Sequence, residues 1–487
     1  MTTTSTGAAP NTPPRKPWCA FATPLLGKTV RWASRVTRHG GSAFPGKVVE
    51  RVDPTFLRRT LAQLPLGVVL VSGTNGKTTT TRMVAMMLES LGLRVFTNPT
   101  GSNFTRGVVS ALLNEVTMGG RIDADIAVLE LDEAYAVQFV AQVRPQYALL
   151  LNVMRDQLDR FGEIDNTARL LARVAEATTR AVVLNREDPR IAALAGLAPA
   201  DARASYFGLS RALRRYFPTD DDMATTVALA AADAPGEPTA AAAHVTPADV
   251  MLTAVGDHRA QMVIDGQEYE SEVKLEGVYN LYNAAAALAV VRAVQQDLCG
   301  PDMIAKAAST LPRSRRDGFV MRAQRFAGAH TAQLLDALAQ VTPAFGRGEI
   351  IDVHGSPTEL LLVKNPMGFR LALASFPPDD ADTMICINDE YADGRDMSWL
   401  WDVDFTSLKA GGVDTVSGVR AWDMALRLAY DDVEVGGVET DLEQAVMAFT
   451  ARNPGRRKHI YCTYTAMLAV RAYLSKIADV ADAGVGK

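Results

Sequence analysis

The residues most suited to chemistry are a glycine turn and the lysine and threonine behind it, Gly73-Thr74-Asn75-Gly76-Lys77-Thr78. Glycines let successive backbone N–H groups close around phosphate oxygens, while a lysine adds a point charge and a hydroxyl can ligate Mg²⁺. The turn follows the apolar run GVVLVS (67–72) and precedes a helical pattern from Thr79 to Leu91, with Gly92 as its stop. Strand, glycine turn and helix in that order are the context a phosphate-binding loop requires, because the helix N-terminus then faces the anion. Gly73, Thr74, Asn75, Gly76, Lys77, Thr78 and Thr79 are therefore the candidate nucleotide-binding residues. The loop departs from GxxxxGK[ST], since position 71 is Val. A threonine-capped glycine turn is the alternative reading.

A second candidate is Glu130, at the end of DIAVLELDE, with Glu133 three residues on and on the same face of any helix that begins there. Carboxylates at a strand end can bind a metal or cap a helix, and the spacing alone leaves both open. A third is Asn280 and Asn283, three apart in EGVYNLYNAAAALAV and suited either to reading a base or to capping. A fourth is the acidic cluster after TMICIND, which includes Asp393, Asp396 and Asp402 beside Trp399 and Trp401. Exposed aromatics beside acids favour an interface.

These residues need a scaffold. With 487 residues, 48% hydrophobic and 22% charged, the chain is a multidomain globular protein. Its net charge of −5 and lack of a large basic block argue against a nucleic-acid partner. Cys19, Cys299, Cys386 and Cys462 are far apart and form neither a disulfide framework nor a zinc motif. No apolar run is long enough to span a bilayer, and the N-terminus lacks the apolar core of a signal peptide, so a cytoplasmic location is expected.

From Gly67 onward, the strand-like runs GVVLVS, DIAVLELD, QYALLLNV and RAVVLN alternate with helical stretches, which predicts a parallel sheet with helices on both faces. MLTAVGDHRAQMVIDGQEYESEV predicts a hairpin, and residues 280–295 an Ala-rich helix. The stretch after Pro312 reads as basic and irregular. Beyond it ELLLVK, RLALASF, TMICIND, VDTVSG and RKHIYCTY predict a second, smaller α/β unit. The expected division is a disordered tail (1–20), a short helical segment (21–63), a central ATP-binding domain (64–312), a linker (313–346) and a C-terminal α/β domain (347–487).

GTNGKTTTT resembles the nucleotide loop of the Mur ligase superfamily, and LNREDP (184–189) and EGVYNLYNAAAALAV resemble later superfamily segments. The resemblance implies a Mur ligase-like ATPase domain, ATP and Mg²⁺ as ligands, Glu130 on the metal, and Asn280 and Asn283 near adenine. In the segment NVMRDQLDRFGEID, Gln157 stands where the superfamily usually has a metal-binding histidine.

TNPTGSNFTRG, RDQLDRFGEID, PAFGRGE, LLLVKNPMGF, INDEYADGRDMSWLWDVDF and YTAML together resemble a narrower family, MurT, the synthetase subunits of lipid II isoglutaminyl synthases. That resemblance implies ATP-dependent amidation of the D-glutamate α-carboxylate of the lipid II stem peptide through an acyl phosphate. Ammonia would come from a GatD-type glutaminase partner whose histidine an aspartate of this chain orients, with Asp396 and Asp402 the candidates. Arg347, in GRGE, would reach the γ-phosphate. Relatives carry a four-cysteine zinc ribbon where residues 205–250 here have no cysteine, so zinc is not expected. Soluble-precursor ligases of the superfamily begin with a nucleotide-sugar-binding domain for which the N-terminal segment is short. Its basic residues suit a peripheral position at the inner membrane face. An amino-acid-adding ligase and a non-catalytic nucleotide-binding scaffold are the alternatives.

Overall fold

The computed structural model describes residues 21–37, 44–98, 103–154, 164–216, 246–256, 259–274, 278–342, 347–376, 378 and 380–480. Three helices open it: α1 (Thr23–Thr37), α2 (Phe44–Val52) and α3 (Phe56–Leu61). The central unit then alternates β1 (Val68–Ser72), α4 (Lys77–Ser90), β2 (Val95–Thr97), α5 (Thr105–Glu115), β3 (Ile126–Glu130), α6 (Glu133–Val140), β4 (Tyr147–Leu150), α7 (Ile164–Ala177) and β5 (Ala181–Asn185). The short α8 (Pro189–Ala192), β6 (Arg203–Leu209), β7 (Val250–Gly256), β8 (Arg259–Ile264), β9 (Gln267–Glu272) and α9 (Val278–Leu298) complete it.

The nine strands form one sheet in the order β2-β3-β1-β4-β5-β6-β7-β8-β9. Pairing is parallel from β2 to β7 and antiparallel at β7–β8 and β8–β9. Every residue of β1, β3, β4 and β5 is buried, as continuous apolar runs covered on both faces must be. One face packs on α4 and α9 through Met83, Met87, Leu288 and Val291, and the other on α5 to α7 through Val109, Leu112, Phe139 and Leu171. The chain crosses to β3 on one side of β1 and to β4 on the other. The carboxyl end of β1 is therefore a topological switch point, where open sheets of this kind bind ligands.

Three expectations are corrected. The expected hairpin is a three-stranded meander, β7 to β9. The stretch read as irregular after Pro312 is helical: after α10 (Met303–Ser309) come α11 (Arg313–Ala327) and α12 (Thr331–Ala339). Their buried residues Phe319, Ala323, Phe326, Leu334, Leu335 and Leu338 join the core beneath α4 and α9. Arg322 further ties α11 to the buried Asp125 by two hydrogen bonds of 2.7 Å.

The second sheet runs β10 (Arg347–Val353), β11 (Ser356–Leu362), β15 (Arg457–Cys462), β12 (Ala381–Cys386), β13 (Thr415–Ser417) and β14 (Val438–Glu439), parallel except at β10–β11. Helices α13 (Pro366–Ser375), α14 (Ala421–Tyr430), α15 (Leu442–Ala451) and α16 (Tyr464–Leu474) cover it. The third correction is RLALASF, read as a strand, which lies mostly within α13. Asn365 caps that helix by accepting the Gly368 N–H at 2.8 Å, and Pro366 occupies its first turn.

Candidate functional site

The glycine turn sits at the carboxyl end of β1, and Lys77 and Thr78 form the first turn of α4 rather than preceding it. Gly73 has φ 129° and Gly76 φ 86°, conformations that side-chain-bearing residues rarely adopt. Space forbids a side chain as well. A Cβ on Gly73 would lie 2.9 Å from the Asn152 nitrogen, and one on Gly76 would lie 2.5 Å from Asn283 Oδ1. Asn152, just past β4, holds the turn in shape. Its side chain accepts the Asn75 N–H at 2.8 Å and donates to the Asn75 carbonyl at 3.1 Å, while its own carbonyl accepts the Thr74 N–H at 3.0 Å.

Lys77 is buried, and Nζ donates to the Gly73 carbonyl at 2.6 Å and pairs with Asp132 at 3.0 Å and Glu133 at 3.6 Å. Its charge is thus balanced by carboxylates and aimed across the turn. Thr78 Oγ1 donates to Glu130 Oε1 at 2.9 Å. The Glu130 backbone is fixed in turn by Asn98, which accepts the Glu130 N–H at 2.9 Å and donates to its carbonyl at 3.0 Å. A hydroxyl and a carboxylate side by side are hard oxygen donors of the kind Mg²⁺ takes when phosphates and water complete its shell. Among the described residues no three His, Cys, Asp or Glu side chains converge as a ready metal cage. Glu133 faces Lys77 and Thr74 (Oε1–Oγ1 3.4 Å).

Asn280 and Asn283 come to the same place from α9. Asn283 donates to Asn280 Oδ1 at 3.2 Å and abuts Gly76, beside the phosphate turn. Next to them Tyr282 donates to Asn185 Oδ1 at 2.5 Å, and burial raises its phenol well above the ordinary range. Asp188, in LNREDP, caps α8 and accepts the Val153 N–H at 2.7 Å; burial raises its carboxyl against those hydrogen bonds.

The C-terminal unit reaches this turn directly. Asn365 Nδ2 donates to Asn75 Oδ1 at 2.9 Å, Asn75 Nδ2 returns to Asn365 Oδ1 at 3.3 Å, and Lys364 Nζ lies 3.4 Å from the Thr74 carbonyl. Neither contact is evident from the sequence, although KNP carries both residues. Asp132, Asn98 and Asn152 also escaped the sequence reading, their only signal being their place at strand ends. Arg347 opens β10 opposite Leu361, with its side chain outside the described residues, as is the whole of Gln157.

The acidic cluster resolves into different environments. Asp393 is buried, accepting the Thr465 N–H at 2.8 Å, its hydroxyl at 2.5 Å and the Glu390 N–H at 3.1 Å; burial raises its carboxyl despite these bonds. Asp396 is half-buried, and hydrogen bonds from Ser398 hold its carboxyl below the usual range. Asp402 is exposed at the end of a 3₁₀ turn, its carbonyl accepting from Arg370. Trp401 is 50% exposed and packs edge-on against the exposed Tyr430.

With this geometry in view, comparison with known proteins is specific. Residues 71–291 match the Mur ligase middle domain, and residues 362–467 match the MurT ligase C-terminal domain. Solved structures share the fold at low identity. MurF from Acinetobacter baumannii superposes with a TM-score of 0.59 at 16% identity, over 87% of this chain and 78% of that one. MurF from Thermotoga maritima in complex with ADP gives 0.57 at 15% identity, over 86% and 81%. The chain carries a Mur ligase middle domain and a MurT-type C-terminal domain, and is an ATP-dependent ligase with the central and C-terminal α/β units of that fold. Over most of its length it is similar to MurT subunits. It is 28% identical to the subunit MurT of the glutamine-hydrolyzing lipid II isoglutaminyl synthase of Streptococcus pneumoniae, over 89% of this chain and 92% of that protein. The corresponding subunit of Staphylococcus aureus is 26% identical over 86% and 90%.

Proposed function

We propose that this chain uses ATP to convert the D-glutamate α-carboxylate of the lipid II stem peptide into an acyl phosphate, which ammonia from a GatD-type glutaminase subunit turns into the amide. The observation that carries the reading is the joint of Lys77, Thr78 and Glu130 on a phosphate turn that the MurT-type C-terminal unit touches through Asn365. Nucleotide and acceptor bound on either side of that joint are brought together. A carboxylate oxygen attacks the γ-phosphorus and ADP leaves. Ammonia then attacks the acyl carbon, phosphate leaves and the surplus proton goes to solvent or base.

Each residue has a part in that scheme. The backbone N–H groups from Gly73 to Thr79 bind the phosphates, and Lys77 exchanges its Asp132 and Glu133 partners for the transferring phosphoryl group, where such charges contribute most to catalysis. Thr78 and Glu130 would hold Mg²⁺, which supplies charge neutralisation at the phosphates, with Glu133 beside them. Asn280 and Asn283 line the nucleotide site, and Arg347 is assigned to the γ-phosphate. Asp396 and Asp402 are the candidates for orienting the partner's histidine, Asp396 half-buried with its carboxyl lowered by hydrogen bonds from Ser398 and Asp402 exposed, whereas Asp393 spends its oxygens on Thr465 and Glu390. No helix among the described residues is long and apolar enough to cross a membrane. We place the reaction at the cytoplasmic membrane face, where a lipid-linked peptide is presented.

Hydroxylamine tests the central step without the partner. Incubating the full chain with ATP, Mg²⁺, lipid II and hydroxylamine is expected to yield a glutamyl hydroxamate with one ADP released for each. ATP turnover without hydroxamate, or turnover that requires an added amino acid, would replace this reading by the amino-acid-adding ligase.

A further inference from the structure

Helix α1 has two unlike faces. One is locked to the protein. Thr23 and Pro24 are buried, Thr23 Oγ1 donates to Asp53 at 2.8 Å, and Gly27 approaches α5 so closely that a Cβ there would lie 2.4 Å from the Leu113 side chain. The other face is apolar and uncovered: Phe21, just ahead of the helix, is 78% exposed, Leu25 54% and Trp32 67%. Steps of four and seven residues put these three on one line along the helix, with Lys28 between them.

Charge says what fits this line. Between residues 21 and 49 the sequence has Lys28, Arg31, Arg35, Arg38 and Lys47 and no aspartate or glutamate at all, in a chain whose overall net charge is −5. A stretch of sequence rich in cations and free of acids, carrying an apolar stripe with a tryptophan, is the composition of a helix that lies in a lipid interface. The ring and aliphatic groups enter the boundary of the acyl chains while the cations meet anionic headgroups.

Placement agrees. Gly27 of α1 meets Leu113 near the C-terminal end of α5, and Gly46 of α2 meets Arg106 in the first turn of α5, so both opening helices pack on α5. Just ahead of α5, the Asn103 carbonyl accepts the N–H of Asp132, the partner of Lys77. Helix α5, on which α1 packs, thus begins beside the phosphate turn.

We propose that α1 docks this protein on an anionic lipid bilayer through Phe21, Leu25 and Trp32, with Lys28 between them and the basic character of the segment directed to the headgroups. The purpose of such docking rests on the lipid-linked substrate proposed above, although the surface is argued from its own residues.

The test is cosedimentation of the full chain with vesicles of phosphatidylcholine alone or mixed with phosphatidylglycerol. Binding is expected to the mixed vesicles, weakening as salt rises, and to drop at least about tenfold in the triple variant Phe21→Ser, Leu25→Ser, Trp32→Ser. All three side chains are exposed, so the variant should keep its melting temperature and its hydroxamate formation on a water-soluble, short-chain lipid II. Absence of wild-type binding, equal binding to neutral vesicles, or undiminished binding by the variant overturns the proposal. So does a wild-type dimer in sedimentation velocity that the variant loses, which would make the stripe a self-association surface. Vesicle binding without hydroxamate would leave the docking intact and sink the amidation reading.

Discussion

Replacing Asn365 by Asp should separate folding from catalysis at the joint between the two α/β units. Asn365 Oδ1 caps α13 through Gly368, so its amide nitrogen must be the group that faces Asn75 Oδ1 at 2.9 Å. An aspartate keeps the cap, and its charge suits the helix N-terminus. It cannot donate to Asn75, and it sets a carboxylate against that oxygen beside a phosphate site. Losing one such hydrogen bond costs about 1 kcal/mol, and the facing acceptors add a comparable amount. At 1.4 kcal/mol per decade, a total of about 1–2 kcal/mol lowers kcat/KM for ATP about five- to thirtyfold. Asn365→Ala loses the cap as well and should melt a few degrees lower, since a cap is worth about 1 kcal/mol. Coupled ADP-release kinetics alongside thermal melting of both variants provide the assay. An Asp variant with wild-type kcat/KM, or one that melts as low as the Ala variant, would refute the reasoning.

Lys77→Ala should reduce ATP-dependent turnover by about a hundredfold or more, because a preorganised charge at the developing phosphoryl charge is removed; single-turnover ATP cleavage checks it. Asp396→Asn is expected to lower glutamine hydrolysis by the assembled complex while ATP binding stays intact. Asp393→Asn should instead lower the melting temperature, its oxygens being committed to Thr465 and Glu390. For Asp53, burial raises the carboxyl but hydrogen bonds from Arg59, Thr55 and Thr23 outweigh it, leaving the folded value lowered. Its stabilisation is then present above the ordinary Asp value of about 4 and is lost as pH falls through the folded value. Melts of Asp53→Asn should lie below wild type at neutral pH and converge with it in acid.

What could be read ahead of the structure was local. GVVLVS-GTNGKT declares its own strand, turn and helix, and the all-apolar runs of β3, β4 and β5 declare a buried parallel sheet. Contacts between distant segments left no such mark: Asp132 reaches Lys77, and Asn365 reaches Asn75 across 290 positions, only once the sheet has formed. RLALASF misled because a short apolar run suits strand or helix alike, and the arbiter lay just upstream in Asn365-Pro366. In α11 the many arginines obscured the spacing of Phe319, Ala323 and Phe326, which places all three on one helical face. Among the acids, sequence alone could not separate Asp393 from Asp396, because burial against Thr465 is a property of the packed α16.

Mass spectrometry of the lipid II stem peptide after incubation with this chain, a GatD-type glutaminase as the proposed partner, ATP, Mg²⁺ and glutamine tests the central claim most directly. The account predicts the acid-to-amide mass decrease at D-glutamate, dependent on both chains and on ATP. An unchanged mass with ATP consumed, or the mass gain of an added amino acid, would contradict it.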